Sequence, residues 1–335
     1  MLSLIPLAVS AAKGIFFFAG NEPVTSKREV SILLQGDLNM KILNFGSLNI
    51  DLVYGVDHHA RTGETLTTRA FARHMGGKGL NQSVALSRAG AQVYHAGCIG
   101  EDGVFLRDYL AENGVDTKRV RITDEATGHA VIQVNAQGDN CILLYPGANR
   151  RQRKEEVRQV LDGFSAGDLL LMQNETNALA EMMHAAKSKG MKIAFNPSPI
   201  DETLRDLPLD LVDYFILNEI EGEALSGESD AEKAVQKLLE KYPQAHVVLT
   251  LGSKGCMYAH GEKRLRQSAF KVNAVDTTGA GDTFTGYFLA SQLRGEDAEK
   301  SLKIASAASA IQVTRPGAAQ AIPMLEEVIQ WLKER

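Results

Sequence analysis

A run of small residues in front of a carboxylate carries the strongest chemical signal in this sequence. Residues 276–284 read DTTGAGDTF, in which Gly279, Ala280 and Gly281 directly precede Asp282. Small residues allow a tight turn whose N–H groups can bind an anion, and a helix that begins here would add its positive end. Such amides beside a carboxylate that can accept a proton suit phosphoryl transfer to an alcohol. Taken alone, the stretch is also compatible with an ordinary glycine-rich helix start.

A second glycine cluster, HMGGKGLNQ at 74–82, precedes apolar residues at helical spacing and a glycine at position 90. It therefore also predicts a loop that leads into a helix. The cluster is not a Walker P-loop, because Gly79 stands after Lys78 where that motif has serine or threonine. A Rossmann dehydrogenase is disfavoured too, since the first predicted strand runs into GSLN without the G-x-G-x-x-G spacing.

Two further polar positions follow predicted strands. Asn49 and Asp51 are two residues apart, so on an extended segment they would face the same side and could bind adjacent hydroxyl groups. An Asx turn explains the same two residues equally well. Glu175 follows the predicted strand at 168–172, at the edge where open α/β sheets bind ligands. From the sequence alone, an exposed loop glutamate is the better explanation of Glu175.

Strand-like and helix-like segments alternate from residue 41 to the end of the chain. The predicted strands lie at 41–45, 93–99, 168–172, 191–195, 214–217 and 246–251. The predicted helices lie at 81–88, 105–112, 178–189, 231–241, 283–293, 297–313 and 324–334. This alternation predicts an α/β fold with a mainly parallel sheet and helices on both faces. Two stretches, 53–73 and 130–145, interrupt it and predict antiparallel strands outside the main sheet.

The composition is that of an ordinary globular protein, and 335 residues are enough for one large α/β domain or for two domains. A net charge of −5 without a long Lys/Arg run argues against a nucleic-acid or membrane surface. The three cysteines, Cys98, Cys141 and Cys256, are widely spaced in apolar runs. They predict buried, reduced thiols in a cytoplasmic protein rather than a disulfide framework or a zinc site.

The first 39 residues differ from the rest of the chain. Residues 2–20 are fairly apolar, but they contain Lys13 and lack the basic start of a signal peptide. With a charge inside, they also make a poor transmembrane helix. Met40 begins MKILNFGSLNIDLV, which looks like the natural start of the fold. We therefore expect 1–39 to be an extension outside the catalytic fold, with a membrane or export role as the alternative.

Two signature segments, GGKGLNQSVALSRAG and DTTGAGDTFTGYF, resemble those of the PfkB (ribokinase-like) family of carbohydrate kinases. Six further segments resemble the family in the same order: GSLNID, QNETN, NPSP, NEIEGE, TLGSKG and VTRPGA. The resemblance covers roughly residue 40 to the end and implies one kinase domain at 40–335. It implies a three-layer α/β/α fold with a mainly parallel central sheet and a small β-sheet lid. The lid strands, within about 53–73 and 128–146, would cover the sugar and form a homodimer contact.

The resemblance also implies a role for individual residues. Asp282 would be the general base, and the amides of Gly279, Ala280 and Gly281 would form the anion hole. The implied sugar contacts are Asn49, Asp51, Gly77, Lys78, Asn81, Glu175 and Asp282. The implied nucleotide contacts are Asn218, Thr250, Gly252, Ser253, Gly255 and Gly281.

Two cation sites are implied as well. Glu221 would bind Mg²⁺ through water, although Asn218 and Glu221 are also explained as a capped helix start. The implied K⁺ site consists of Asp276, Thr278, Gln312, Arg315 and Gly317. One position departs from the family pattern, because Ala321 stands where a serine ligand is common. The resemblance therefore implies ATP and Mg²⁺ as cofactors and activation by K⁺ at a site that has lost one oxygen.

The expected reaction is ATP-dependent phosphorylation of a primary hydroxyl, with D-ribose as the favoured sugar and D-ribose 5-phosphate as the product. The combination of the Asn-Ile-Asp, Gly-Gly-Lys-Gly-x-Asn and Gln-x-Glu segments favours ribose, since few large apolar residues stand among the implied sugar contacts. Fructose, 2-keto-3-deoxygluconate and nucleosides stay open as alternatives. A non-catalytic sugar-binding regulator on the same fold is the alternative of another class.

Overall fold

The computed structural model describes residues 40–335. The predicted extension at 1–39 lies outside the described residues. Within them, nine strands form one sheet in the order β13-β12-β11-β10-β9-β8-β1-β4-β5. These strands are β1 (Lys41–Phe45), β4 (Gln92–Ile99), β5 (Asp116–Ile122), β8 (Leu169–Gln173), β9 (Lys192–Asn196), β10 (Tyr214–Asn218), β11 (His246–Thr250), β12 (Cys256–His260) and β13 (Lys263–Gln267).

In the order in which they lie in this sheet, the seven strands β11-β10-β9-β8-β1-β4-β5 run parallel. Strands β12 and β13 add antiparallel pairs at one edge. The apolar runs of the parallel strands explain this arrangement: all five residues of β8 are buried, which is typical of a strand covered on both faces. Side chains alternate between two hydrophobic clusters, so Ile42 belongs to one and Leu43 to the other. The predicted mainly parallel α/β sheet is confirmed.

Helices cover both faces of this sheet. They are α1 (Lys78–Arg88), α2 (Val104–Glu112), α3 (Val157–Val160), α4 (Leu179–Ser188), α5 (Glu219–Ser226), α6 (Ala231–Lys241), α7 (Ala280–Leu293), α8 (Ala298–Gln312) and α9 (Leu325–Lys333). One hydrophobic cluster contains residues of α1, α2, α7, α8 and α9, and the other contains residues of α3, α4 and α6. No helix among residues 40–335 is long and apolar enough to span a membrane.

Four strands form a separate lid sheet in the order β3-β2-β6-β7. They are β2 (Asn49–Gly55), β3 (Ala70–Gly76), β6 (Gly128–Val134) and β7 (Asn140–Tyr145). The β2–β3 and β6–β7 pairs are antiparallel, as predicted, while β2 pairs with β6 in parallel. Strand β2 begins before the predicted stretch 53–73, and residues 56–69 form a connection without strand structure.

One of the three cysteines predicted to be buried is exposed on the lid sheet. Cys98 and Cys256 are buried free thiols in the central sheet. Cys141 is a free thiol as well, but it is exposed on β7. The prediction was wrong for Cys141 because an apolar run was taken as a sign of burial. This single-layer lid leaves every residue of β7 exposed.

Candidate active site

The predicted site residues converge at the carboxyl ends of the central strands. Strand β1 lies between β4 and β8, so the direction in which strands are added reverses at β1. The crevice outside such a reversal point is where open α/β sheets bind ligands. The chain leaves β1 into the lid strands β2 and β3 and returns through the glycines of residues 76–79 into α1.

Asp282 lies buried in the first turn of α7. Gly279 caps this helix with φ of 79°, a left-handed conformation that favours glycine. Asn81 Nδ2 donates to Asp282 Oδ2 over 2.9 Å, and Gln82 Nε2 donates to Asp282 Oδ1 over 2.9 Å. The carboxylate is therefore fixed by two consecutive carboxamides of α1, and of these two only Asn81 was predicted as a site residue.

The backbone around Asp282 departs at Ala280 from the predicted set of free amides. The Ala280 N–H donates to the Thr277 carbonyl over 3.2 Å, so a turn hydrogen bond already uses it. The first N–H groups of a helix lack partners within the helix, which leaves Gly279 and Gly281 as the better anion donors. A Cβ added to Gly281 would meet no described atom within 4 Å. This turn therefore borders an open space large enough to admit a ligand group.

The predicted sugar-side residues surround the start of α1. Asn49 and Asp51 lie on the same face of β2, as their spacing predicted. Glu175 accepts hydrogen bonds from the Lys78 N–H, at 3.0 Å, and from Ser47 Oγ. Gly77 caps α1 with φ of 93°. The carboxylates and the lysine therefore share one polar pocket.

These charges shift one another's protonation. Burial, together with the negative charge of Glu175, raises the pKa of Asp51 to about 6. Burial also raises the pKa of Glu175. Burial works to lower the pKa of Lys78, but the carboxylates of Asp282, Glu175 and Glu221 together outweigh it and raise that pKa overall. Lys78 therefore stays a cation in a site that already holds three carboxylates.

Several residues that position this pocket were missed by sequence reasoning. Asn149 is buried and its Nδ2 donates to Asn49 Oδ1 over 2.7 Å. A Cβ on Gly128 would lie 2.2 Å from Asn149 Nδ2, so glycine is required where the two amides meet. A Cβ on Gly76 would lie 2.2 Å from Asp51 Oδ2. The sequence signals for these close approaches are Gly76, inside the glycine cluster at 74–82, and the isolated Gly128.

A cavity of about 480 Å³ adjoins the first turn of α7. Its lining includes five of the six predicted nucleotide residues, namely Thr250, Gly252, Ser253, Gly255 and Gly281, and also Ala280. Apolar residues that the sequence did not reveal form much of the remaining wall: Phe270, Val272, Ala274, Phe284, Ala310 and Val313. Such a mainly apolar wall with a few polar groups suits a flat heterocyclic base.

The comparisons with known proteins agree with this arrangement. Residues 39–325 match the pfkB family carbohydrate kinases. The chain is 38% identical over 298 residues to a ribokinase of Haemophilus influenzae, covering 86% of this chain and 97% of the relative. This protein belongs to the pfkB family of carbohydrate kinases. It is also 31% identical over 308 residues to a deoxyribokinase of Salmonella typhi, covering 88% of this chain and 99% of that relative.

A solved structure of a pfkB relative places substrates in the same fold. Ribokinase of Arabidopsis thaliana, complexed with ribose and ATP, matches with a TM-score of 0.79 and 29% identity. The match covers 88% of this chain and 99% of that structure. The predicted three-layer α/β/α fold of the pfkB family is therefore confirmed.

Asn218 and Glu221 form a reciprocal capping box at the start of α5. Asn218 Oδ1 accepts from the Glu221 N–H over 2.9 Å, and Asn218 Nδ2 donates to Glu221 Oε1 over 2.9 Å. Burial raises the pKa of Glu221. No group of three or more His, Cys, Asp or Glu side chains that could hold a metal lies within residues 40–335. The oxygens of Asn218 and Glu221 are hard ligands of the kind that bind Mg²⁺ through water, so this pair fits such an ion.

Four of the five predicted K⁺ residues meet beside the Asp282 loop, namely Asp276, Thr278, Gln312 and Gly317, whereas the Arg315 side chain pairs with Glu327. Asp276 accepts hydrogen bonds from the N–H groups of Thr278 and Gly317, both at 2.9 Å. Gln312 Nε2 donates to the Thr278 carbonyl at 2.7 Å and the Gly317 carbonyl at 3.2 Å. The buried Gln312 Oε1 has no hydrogen-bond partner among the described residues. A half-turn of this amide would bring Oε1 to the two carbonyls, where a cation could join all three oxygens, so the donor set fits K⁺.

Proposed function

We propose that this carbohydrate kinase transfers the γ-phosphoryl group of ATP to the primary hydroxyl of D-ribose, which gives D-ribose 5-phosphate and ADP. One observation carries the proposal: the carboxylate of Asp282 is close enough to interact with the charges of Lys78 and Glu175, and the two residues directly before Asp282, Ala280 and Gly281, line the cavity. A base at that boundary can reach a hydroxyl on one side while the phosphate approaches from the other. Ribokinases among the relatives support ribose as the sugar.

The polar pocket offers a matched set of hydrogen-bond partners to a sugar. Asn149 occupies Asn49 Oδ1, so Asn49 Nδ2 is the atom that can donate to a hydroxyl oxygen. Asp51 and Glu175 accept hydroxyl protons once they are ionised. Asn81 Oδ1 is buried and without a partner among the described residues, and a sugar hydroxyl would satisfy it. Carboxylates and amides on several sides of a small polar pocket suit a free pentose.

In the transfer step, Asp282 accepts the proton of the attacking hydroxyl as that oxygen bonds to the γ-phosphorus. The bond from the γ-phosphorus to the ADP oxygen breaks, and ADP leaves with that electron pair. The amides of Gly279 and Gly281 at the start of α7 stabilise the charge on the transferring group. Asn218 and Glu221 would hold Mg²⁺ through water, and the ion would neutralise phosphate charge. A cytoplasmic location suits the use of ATP.

K⁺ is proposed as an activator at the loop of Asp276 and Thr278. Gln312 Oε1 would replace the oxygen that Ala321 lacks, because rotation of the amide aims it at the Thr278 and Gly317 carbonyls. A bound cation would then fix the segment that leads into Gly279. The same rotation would give the buried Gln312 Oε1, which now lacks a partner among the described residues, the bound cation as its partner.

A homodimer through the lid is also proposed. Ile142, Leu143 and Leu144 on β7 are 52%, 64% and 50% exposed, and β7 is an edge strand. An exposed apolar edge strand is normally covered or interrupted by charges. A second copy of the lid has the same apolar surface and would cover it. Sedimentation analysis of the purified protein would give the oligomeric state.

The activity is tested by ADP release from ATP·Mg²⁺ with ribose, 2-deoxyribose, fructose, 2-keto-3-deoxygluconate and adenosine, with and without K⁺. We expect ribose to give the highest kcat/KM and K⁺ to increase it. A preference for 2-deoxyribose would align the protein with its deoxyribokinase relative and reject ribose as the substrate. Turnover of none of these compounds would contradict the proposed function as a whole.

A further inference from the structure

Four buried carboxamides form a continuous row behind the active site. Asn44 lies on β1, Gln173 on β8 and Asn196 on β9, which are neighbouring strands, and Gln82 lies on α1. The first two and Gln82 are 0% exposed, and Asn196 is 7% exposed. Burying a carboxamide is unfavourable unless its groups are paired, so a row of four calls for an explanation. We name these four residues the amide ladder.

The backbone fixes the direction of the ladder at one end. The Gly79 carbonyl can only accept, and Asn44 Nδ2 donates to it over 2.8 Å. Asn44 Oδ1 must then face away from Gly79, and it accepts from Gln173 Nε2 over 3.0 Å. The same Gln173 nitrogen donates to Gln82 Oε1 over 2.7 Å. Each amide thus determines how the next one is turned.

The far end of the ladder delivers donors to two carboxylates. With its oxygen facing Gln173, Gln82 presents Nε2 to Asp282 Oδ1 over 2.9 Å and to Asn196 Oδ1 over 3.4 Å. Asn196 Nδ2 in turn donates to Glu221 Oε2 over 3.1 Å and to the Ile216 carbonyl over 3.0 Å. The Ile216 carbonyl can only accept, so it fixes the direction of the ladder at this end as the Gly79 carbonyl does at the other. Reversing any single amide would place two acceptors or two donors face to face.

We propose that the amide ladder holds Asp282 as an oriented carboxylate and that Gln82 is the positioning residue through which it acts. The proposal rests on the proposed function, in which Asp282 takes the hydroxyl proton. The side-chain hydrogen bonds of Gln82 join it to Gln173, Asn196 and Asp282. Its donor stabilises the ionised carboxylate and restricts its rotation, while the sugar contacts remain with other residues.

Gln82→Met tests the ladder directly, since methionine keeps the volume and cannot donate. We expect kcat to fall about 10- to 100-fold, because a hydrogen bond to a charged group is lost. The KM for the sugar should change less than about threefold, and the acidic limb of the kcat–pH profile should move to higher pH by about one unit. Gln292→Met is the matched control, because Gln292 also donates two hydrogen bonds but lies at the other end of α7.

Gln173→Met tests the ladder without touching Asp282. The methionine side chain cannot donate to Gln82 Oε1, so Gln82 loses the partner that fixes how its amide is turned and its hydrogen bond to Asp282 should weaken. We expect an acidic-limb shift in the same direction as in Gln82→Met but smaller, and no further shift when the two substitutions are combined. Unchanged pH profiles in both variants, or a loss of kcat matched by Gln292→Met at equal loss of Tm, would overturn the proposal.

The outcome for the ladder can be separated from the outcome for the proposed function. The variants are compared with the wild type on whichever sugar the wild type phosphorylates best, so a different substrate leaves the test intact. If the wild type phosphorylates none, the proposed function fails and the ladder is judged by thermal unfolding. Gln82→Met should then lower Tm clearly in the wild-type background and much less in Asp282→Ala. Equal losses in the two backgrounds would show that Gln82 does not act on Asp282.

Discussion

The two glycine-rich loops look alike in sequence and serve opposite purposes in the structure. In the first loop, a Cβ on Gly79 would lie 2.3 Å from the Ser47 backbone nitrogen, and one on Gly76 would lie 2.2 Å from the Asp51 carboxylate. In the second loop, a Cβ on Gly281 would meet nothing within 4 Å. Glycine in the first loop lets protein pack on protein, whereas Gly281 leaves room for a ligand. A glycine cluster alone therefore does not identify a phosphate site.

The loops meet at Asp282, where the largest effect is expected. Asp282→Asn should lower kcat by roughly 10²–10⁴-fold, the usual contribution of a general base, because the amide cannot accept the proton. The fold should persist, since asparagine has the size of aspartate. Steady-state kinetics and a Tm measurement together check this expectation. Turnover near the wild-type value would show that the second loop does not carry the base.

The contrast between the loops is tested by the same substitution in each. Gly79→Ala should lower the stability by about 1–3 kcal/mol or more, because the new methyl group collides with backbone that cannot move away easily. Gly281→Ala should leave Tm unchanged or slightly higher, yet raise the KM for ATP about tenfold by filling the space for phosphate. Thermal unfolding and ATP titrations distinguish the two. If the Gly281→Ala variant had a normal KM for ATP, Gly281 would not be needed to leave space for phosphate, and the functional contrast between the two loops would be rejected.

The same loops limit what the sequence could predict about the fold. Helix α6 was predicted at 231–241 with the bounds it has, because Asp230 caps it and its apolar face is regular. Helices α1 and α7 each begin three residues before the predicted start, at Lys78 and Ala280. Both are capped by a glycine without a side-chain hydrogen bond, so no polar cap marked where they begin.

The site itself was predictable where a residue carries its chemistry in its own side chain. Asp282 and Lys78 are charged residues next to glycines, and the structure brings them together. Glu175 joins them in the structure, although the sequence alone favoured an exposed loop glutamate and only the family resemblance implied a site residue. The supporting residues were not predictable, because Asn44 and Asn196 are 152 positions apart in the sequence and ordinary in type. Only the strand order places them in one row. Propensity and spacing do not contain that long-range information.

The smallest expected effect is a pH dependence of KM that differs between the proposed sugar side and the proposed nucleotide side of the site. Asp51 has a pKa of about 6 in the free protein, so it loses its charge as the pH falls through that value. Since the sugar hydroxyls need an ionised acceptor, the KM for the sugar should rise about tenfold per pH unit below 6, while the KM for ATP changes little.

Asp51→Asn is the control for this pH dependence, because its side chain does not titrate. The variant should have a raised sugar KM that no longer changes between pH 5 and pH 7. Stability should respond in the opposite direction, because a carboxyl pKa raised by folding means that the protonated form stabilises the fold. If both substrates showed the same pH dependence in the wild type, Asp51 would not be a sugar contact, and the division of the site at Asp282 would lose its support.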